Sequence, residues 1–317
     1  MSAGSVLLAV LVLLGGVALV VWATERLVHG MVGVADLLRV APFAVSAVLS
    51  GMEAENVAVG LAAGSRGAAE VALGTVFGGS VVLVCAALGI GAMVAPLSVR
   101  LPRRILAVFA AAPVLAGLPL AFDATQTPRW TGALLLAAFA AAMWVLVRAS
   151  RTHRFIDDDE VEEAREKPRT LLRVVLLTAL GIGVITAGGE LVASGATRLI
   201  SDAGLSAGLV GMVLTPALVE SDEIIRQVVP ARQGRHDVSG GNVVGTLLWF
   251  TLFNLGLIAL VTPVRVPRLT RVLDYPFLVG ASWIAVAMLA RGRVGRAAGA
   301  MLVALAVAYA VLRGVLR

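Results

Sequence analysis

Residues 45–83 of this chain lie over residues 212–250 without a gap, at a constant offset of 167, and the matching positions are largely acids and glycines. Glu53 falls on Glu220, Glu55 on Asp222, Glu70 on Asp237, Gly67 on Gly234, Gly74 on Gly241 and Gly78 on Gly245. A duplicated segment constrains a fold more than any single motif, because both copies must reach equivalent surroundings. Those surroundings are apolar: 59% of the residues are hydrophobic, 15% are charged and the mean hydropathy is +0.94. This composition excludes an ordinary soluble domain. In a membrane, duplicated apolar helices that carry carboxylates bring two half-sites together around one cation.

Ten apolar stretches, 4–36, 41–64, 70–95, 103–122, 130–149, 170–200, 204–230, 238–262, 273–290 and 296–315, are long enough to cross about 30 Å of hydrocarbon. Five fall in each half. The first and sixth share similar polar ends, Glu25-Arg26-Leu27-Val28 and Glu190-Leu191-Val192. Five is odd, so the second copy enters the bilayer from the opposite side. The predicted fold is therefore an all-α polytopic membrane protein whose ten transmembrane helices form two inverted five-helix repeats. Residues 1–149 make the first repeat and 169–317 the second. Between them lies a cytoplasmic polar linker, 150–168, with the run Asp157-Asp158-Asp159-Glu160.

The basic residues set the orientation. With the first residue outside, the inward loops collect Arg100, Arg103, Arg104, the arginines of 148–173, Arg291, Arg293 and Arg296. The outward ends hold fewer, so the positive-inside rule predicts a multi-pass protein of the cell membrane with both termini extracytoplasmic. Met1–Gly4 carries no positive charge, so the first stretch is expected to be a retained helix. The formal charge of +6 reads as a topology signal and not as a nucleic-acid surface. Cys85 is the single cysteine; lying in an apolar run, it reads as a small buried hydrophobe.

The chemistry concentrates in the second and seventh stretches. Glu53 and Asn56, and likewise Glu220 and Glu223, stand three residues apart and share a helical face. Glu55 and Asp222 point elsewhere. Five acids in two apolar helices require protons, partners or cations. Arg226, three residues beyond Glu223, supplies a possible internal counter-charge. Gly51 and Gly60 flank the first cluster and Pro216 precedes the second, so helix breaks there would free backbone carbonyls for a hard cation. Gly74-x-x-x-Gly78 and Gly241-x-x-x-Gly245 predict close helix packing and bring Thr75 and Asn242 toward the site.

Three further stretches, Gly189-Glu190-Leu191-Val192 to Gly195-Ala196, Gly204-Leu205-Ser206 to Gly211, and Gly241-Asn242-Val243-Val244-Gly245, carry a resemblance to the alpha repeats of the calcium:cation antiporter superfamily. That superfamily includes sodium/calcium and cation/proton exchangers. The resemblance spans both halves and implies secondary antiport of cations. The exchanger signature, approximately G-T-S-x-P-E, is replaced by Gly51-Met52-Glu53-Ala54-Glu55-Asn56 and by Leu218-Val219-Glu220-Ser221-Asp222-Glu223. Of the two family glutamates only Glu223 remains, while Glu53 and Glu220 stand where the serines would be. The same positions resemble the shorter cation/proton signature G-N-A-x-E, with Glu53 and Glu220 in place of asparagines.

The resemblance therefore implies that a cation, divalent such as calcium, is exchanged for sodium or protons by alternating access. Glu53, Asn56, Glu220, Glu223, Thr75 and Asn242 are the expected metal ligands, and Glu55 and Asp222 are candidate proton relays. No resident cofactor is expected. The expected partners are the lipid bilayer and inorganic cations and not nucleic acid, and the sequence leaves a homo-oligomer open. An enzyme is disfavoured because the histidines, His29, His153 and His236, are scattered and form no metal or nucleophile constellation. The alternative is a transport-degenerate cation sensor or membrane scaffold of the same fold.

Overall fold

The computed structural model of the protein describes residues 41–49, 54–122, 126–152 and 220–316 continuously, with separate positions between 8 and 35, at 51, between 172 and 191, and at 213, 216 and 217. The described helices of the first half are α1 (Pro42–Leu49), α2 (Ala54–Ser65), α3 (Ala69–Val94), α4 (Arg103–Ala121) and α5 (Arg129–Thr152). Those of the second are α6 (Ser221–Arg232), α7 (His236–Val261), α8 (Thr270–Ala290) and α9 (Arg296–Val315). A two-residue antiparallel pair, β1 (Leu97–Ser98) with β2 (Arg293–Val294), joins the α3–α4 and α8–α9 connections. The chain is thus predominantly helical.

Helices α3, α4, α5, α7, α8 and α9 are each long and apolar enough to cross a bilayer, and each lies on a predicted span. The predicted spans at 4–36, 41–64, 170–200 and 204–230 fall wholly or partly outside the described residues, as does most of the linker. Burial separates the six into two kinds. The most apolar windows of α3 and α7 are 83% and 78% buried within the protein, against 39% or less for the other four. Helices α3 and α7 are therefore the centre. The outer helices turn Leu134, Trp144, Trp283, Val307 and Val311 outward, the arrangement expected where the surrounding solvent is lipid.

The offset of the sequence recurs in three dimensions. Gly67 and Gly234, one offset apart, both adopt positive φ, +72° and +75°. Each follows the end of a helix, α2 or α6, in the left-handed turn that glycine permits. Their hydrogen bonds also match: Ala68 N–H donates to Ala63 O at 2.9 Å, and Arg235 N–H to Pro230 O at 2.9 Å. The wide helical turns at Val82–Ala87 and Trp249–Asn254 are one offset apart as well.

Contacts between the halves are reciprocal. A Cβ on Gly89 of α3 would stand 2.9 Å from the carbonyl oxygen of Gly299 of α9, and one on Gly256 of α7 would stand 3.1 Å from that of Gly132 of α5. Adding 167 to 89 gives 256, and subtracting it from 299 gives 132. Backbones approach this closely only where neither residue has a side chain. The pairing of Leu97 with Val294 has its counterpart too, because Thr127 N–H donates to Val264 O at 3.0 Å. Glycines of α7 serve a further contact: side chains on Gly241 and Gly245 would run into the carbonyls of Phe43 and Ala47 in α1. Cys85 is a buried free thiol among apolar neighbours.

Candidate ion-binding site

The second predicted span is interrupted where the sequence places Gly51. Helix α1 stops at Leu49 and α2 begins at Ala54, with Gly51 in a turn. A Cβ on Gly51 would lie 2.6 Å from Cγ of Trp249, so only glycine passes the indole at this depth. Trp249 Nε1–H donates to Val48 O, in the last turn of α1, at 3.2 Å. The matching break in the second half falls at Glu220. There the backbone departs from helical geometry (φ −86°, ψ 11°), and Glu220 N–H donates to Pro216 O at 2.8 Å. Glu220, Asp222 and Glu223 thus sit at the start of α6, where unpaired N–H groups and the helix dipole favour negative charge.

Side chains from the two halves meet at these breaks. Asn56 Nδ2–H donates to Glu220 Oε1 at 2.7 Å, and Asn242 Nδ2–H donates to Glu223 Oε2 at 2.6 Å. Glu220 and Glu223 have no exposed surface, and Asn56 and Asn242 are 1% and 2% exposed. Arg226 reaches back along α6, placing one nitrogen 3.1 Å from Glu223 Oε1 and another 2.5 Å from Asp222 Oδ2. Without such partners, buried carboxylates would be costly. The spacing of the sequence set Asp222 apart from Glu223; the guanidinium is what joins them.

Other predicted residues fall nearby in different ways. Thr75 Oγ1–H donates to Ala72 O within its own helix at 2.9 Å, and its oxygen lies 3.1 Å from where a Cβ on Gly60 would stand. Glu53 lies outside the described residues, and Glu55 is described only as part of the backbone of α2. Among the described residues, no group of three or more acid, histidine or cysteine side chains is arranged to hold a metal.

Several neighbours of the site carry no signal of their own in the sequence. Gly79 faces the site, since a Cβ there would stand 3.3 Å from Glu220 Oε1. Gln227 donates to Ser239 Oγ and packs under Gly91, fixing α6 against α7 and α3. A separate buried cluster joins α8 and α9. Arg313 Nε of α9 is 3.4 Å from Asp274 Oδ1 of α8, and Tyr309 O–H donates to the same oxygen at 3.0 Å. An acid inside the predicted span 273–290 was the available signal for it.

Beyond its own internal match, the chain carries the sequence pattern of the sodium/calcium exchanger protein family over residues 8–148 and 173–315. The chain belongs to that family. Relatives of this exchanger-family chain include the inner membrane protein YrbG of Escherichia coli K12, 29% identical over 283 residues that cover 86% of each chain. Another is CaxA of Alkalimonas amylolytica, an antiporter by name, 24% identical over 263 residues and covering 81% of this chain and 82% of its own. The fold matches the sodium-calcium exchanger NCX_Mj with a TM-score of 0.77 at 19% identity, covering 98% of this chain and 99% of that one. A second structure of the same exchanger gives 0.78 at 18% identity and equal coverage. The exchanger-family chain is thus an integral membrane protein whose family and structural neighbours are ion exchangers and not enzymes.

Proposed function

We propose that the protein is a secondary cation antiporter in which two inverted five-helix repeats, residues 1–149 and 169–317, alternate access to a site near the midplane. The observation that carries this reading is the buried hydrogen bond from Asn56 to Glu220. It joins equivalent helix breaks of the two halves and places a carboxylate where both contribute. The reciprocal glycine crossings support the repeat, since an axis in the membrane plane relates such contacts in pairs. Glu220 and Glu223 are the principal acidic ligands, Glu53 and Asn56 their counterparts, and Thr75 and Asn242 supporting groups. Glu55 and Asp222 serve as proton relays.

The cargo is a divalent cation such as calcium, exchanged for sodium or protons. Both termini are extracytoplasmic and the linker is cytoplasmic. An empty site that keeps its carboxylates charged is costly to occlude, whereas a filled or protonated one can reorient, and this difference couples the two fluxes. The test is calcium uptake into proteoliposomes under an imposed sodium gradient and then an imposed proton gradient, with manganese and magnesium as competitors. Gradient-driven uptake that disappears in Glu223→Gln supports antiport and identifies the coupling ion. Uptake that persists in this variant removes Glu223 from the site, and absence of flux under either gradient favours the sensor or scaffold reading.

A further inference from the structure

We propose that Arg226 is a tethered cation that competes with the transported ion for Glu223 and so sets how tightly a divalent cation is held; this deepens, and rests on, the antiport reading. Each oxygen of Glu223 faces a nitrogen-bearing group: Asn242 donates a hydrogen bond of 2.6 Å to one, and the Arg226 guanidinium stands 3.1 Å from the other as an ion pair. The two donors differ in what they can become. An amide carries an oxygen as well as an N–H₂ group, so Asn242 can turn and present an acceptor to an incoming cation. A guanidinium has five N–H donors and no acceptor. It can never be a ligand, and must withdraw before a cation uses the second oxygen.

The structure supplies a place for it to withdraw to. Arg226 is 2.5 Å from Asp222 Oδ2, so the guanidinium can leave Glu223 and keep one buried ion pair. Asp222 is then the resting partner of the arginine whenever cargo occupies Glu223. The internal repeat points the same way. Glu223 corresponds to the neutral Asn56 and Arg226 to Val59, so the second half carries both an acid and a base where the first has neutral residues. With Arg226 counted, the stretch 220–226 carries two net negative charges, the same as its counterpart 53–59. The arginine therefore offsets the additional acid.

The experiment is calcium binding to the detergent-solubilised full chain by titration calorimetry, with no gradient imposed. Arg226→Gln is expected to bind calcium about tenfold more tightly than the wild type, a gain of about 1.4 kcal/mol. Arg226→Lys, whose single ammonium cannot span both acids, is expected to bind about threefold more tightly. Added guanidinium ion, at concentrations below those that unfold the protein, should weaken calcium binding to Arg226→Gln and leave the wild type unchanged. Unchanged or weaker calcium binding in a folded Arg226→Gln overturns the proposal, and Arg226→Lys decides in the same way if the glutamine variant does not fold. Because binding is read without flux, the two ideas separate. A wild type that exchanges ions while Arg226→Gln gains no affinity keeps antiport and discards competition, and a wild type without exchange whose variant gains affinity does the reverse.

Discussion

Asn56 and Glu220, separated by 164 residues in sequence, share a hydrogen bond of 2.7 Å in a part of the molecule closed to solvent. Asn56→Ala should weaken cation binding about tenfold, a loss of about 1.4 kcal/mol, because it removes the amide oxygen that can turn toward a cation beside Glu220. Asn56→Asp should act in the opposite direction on divalent cations, because it adds a carboxylate beside Glu220. Calcium titration of the two variants checks both signs.

The glycines of the two halves make a sharper test of packing. Gly245→Ala should lower the melting temperature in detergent and impair transport, because the new methyl group meets the backbone of Ala47 and overpacking costs about 1–3 kcal/mol. Gly280 in α8 has no atom within 4 Å of where its Cβ would stand. Gly280→Ala should therefore be neutral or stabilising by up to about 1 kcal/mol. Equal melting shifts in the two variants would contradict the packing.

Gly67→Ala and Gly234→Ala should each destabilise by about 1–2 kcal/mol, the cost of holding a residue with a Cβ at positive φ. Both have φ between +70° and +80°, and the repeat predicts equal effects. Matched thermal melts of the two variants measure this.

The cluster on α8 and α9 predicts a strongly unequal pair of variants. Asp274→Ala leaves the buried Arg313 without its nearest carboxylate and should cost about 3–5 kcal/mol. Tyr309→Phe removes one hydrogen bond to the same acid and should cost about 1–2 kcal/mol. Their difference is read from thermal melts in one detergent.

The sequence made much of the helical plan legible, and for a physical reason. Spans such as 103–122 and 296–315 are continuous apolar runs, and a bilayer leaves the backbone of such runs little alternative to helix. The breaks at Gly51 and near Pro216 were also readable, because both residues weaken helices locally. The partners of the buried acids were less accessible. That Arg226 could reach Glu223 follows from a three-residue spacing, but its hold on Asp222 depends on how a long side chain turns inside the bundle. The contact between Asn56 and Glu220 depends on how two distant breaks meet, which no local pattern encodes. Asp274, Arg313 and Tyr309 went unassigned because each belongs to an ordinary span and the repeat marks none of them.

The reciprocal glycine crossings bear on how the chain is made. Helices α3 and α5 leave the ribosome before α7 and α9 exist, so Gly89 and Gly132 enter the bilayer as bare backbone ridges with nothing to meet. Neither half can close its own crossing, and both crossings close only when the second half arrives. Two polypeptides cut within the linker would each carry one unfilled ridge from every pair, and each would be the complement that the other lacks.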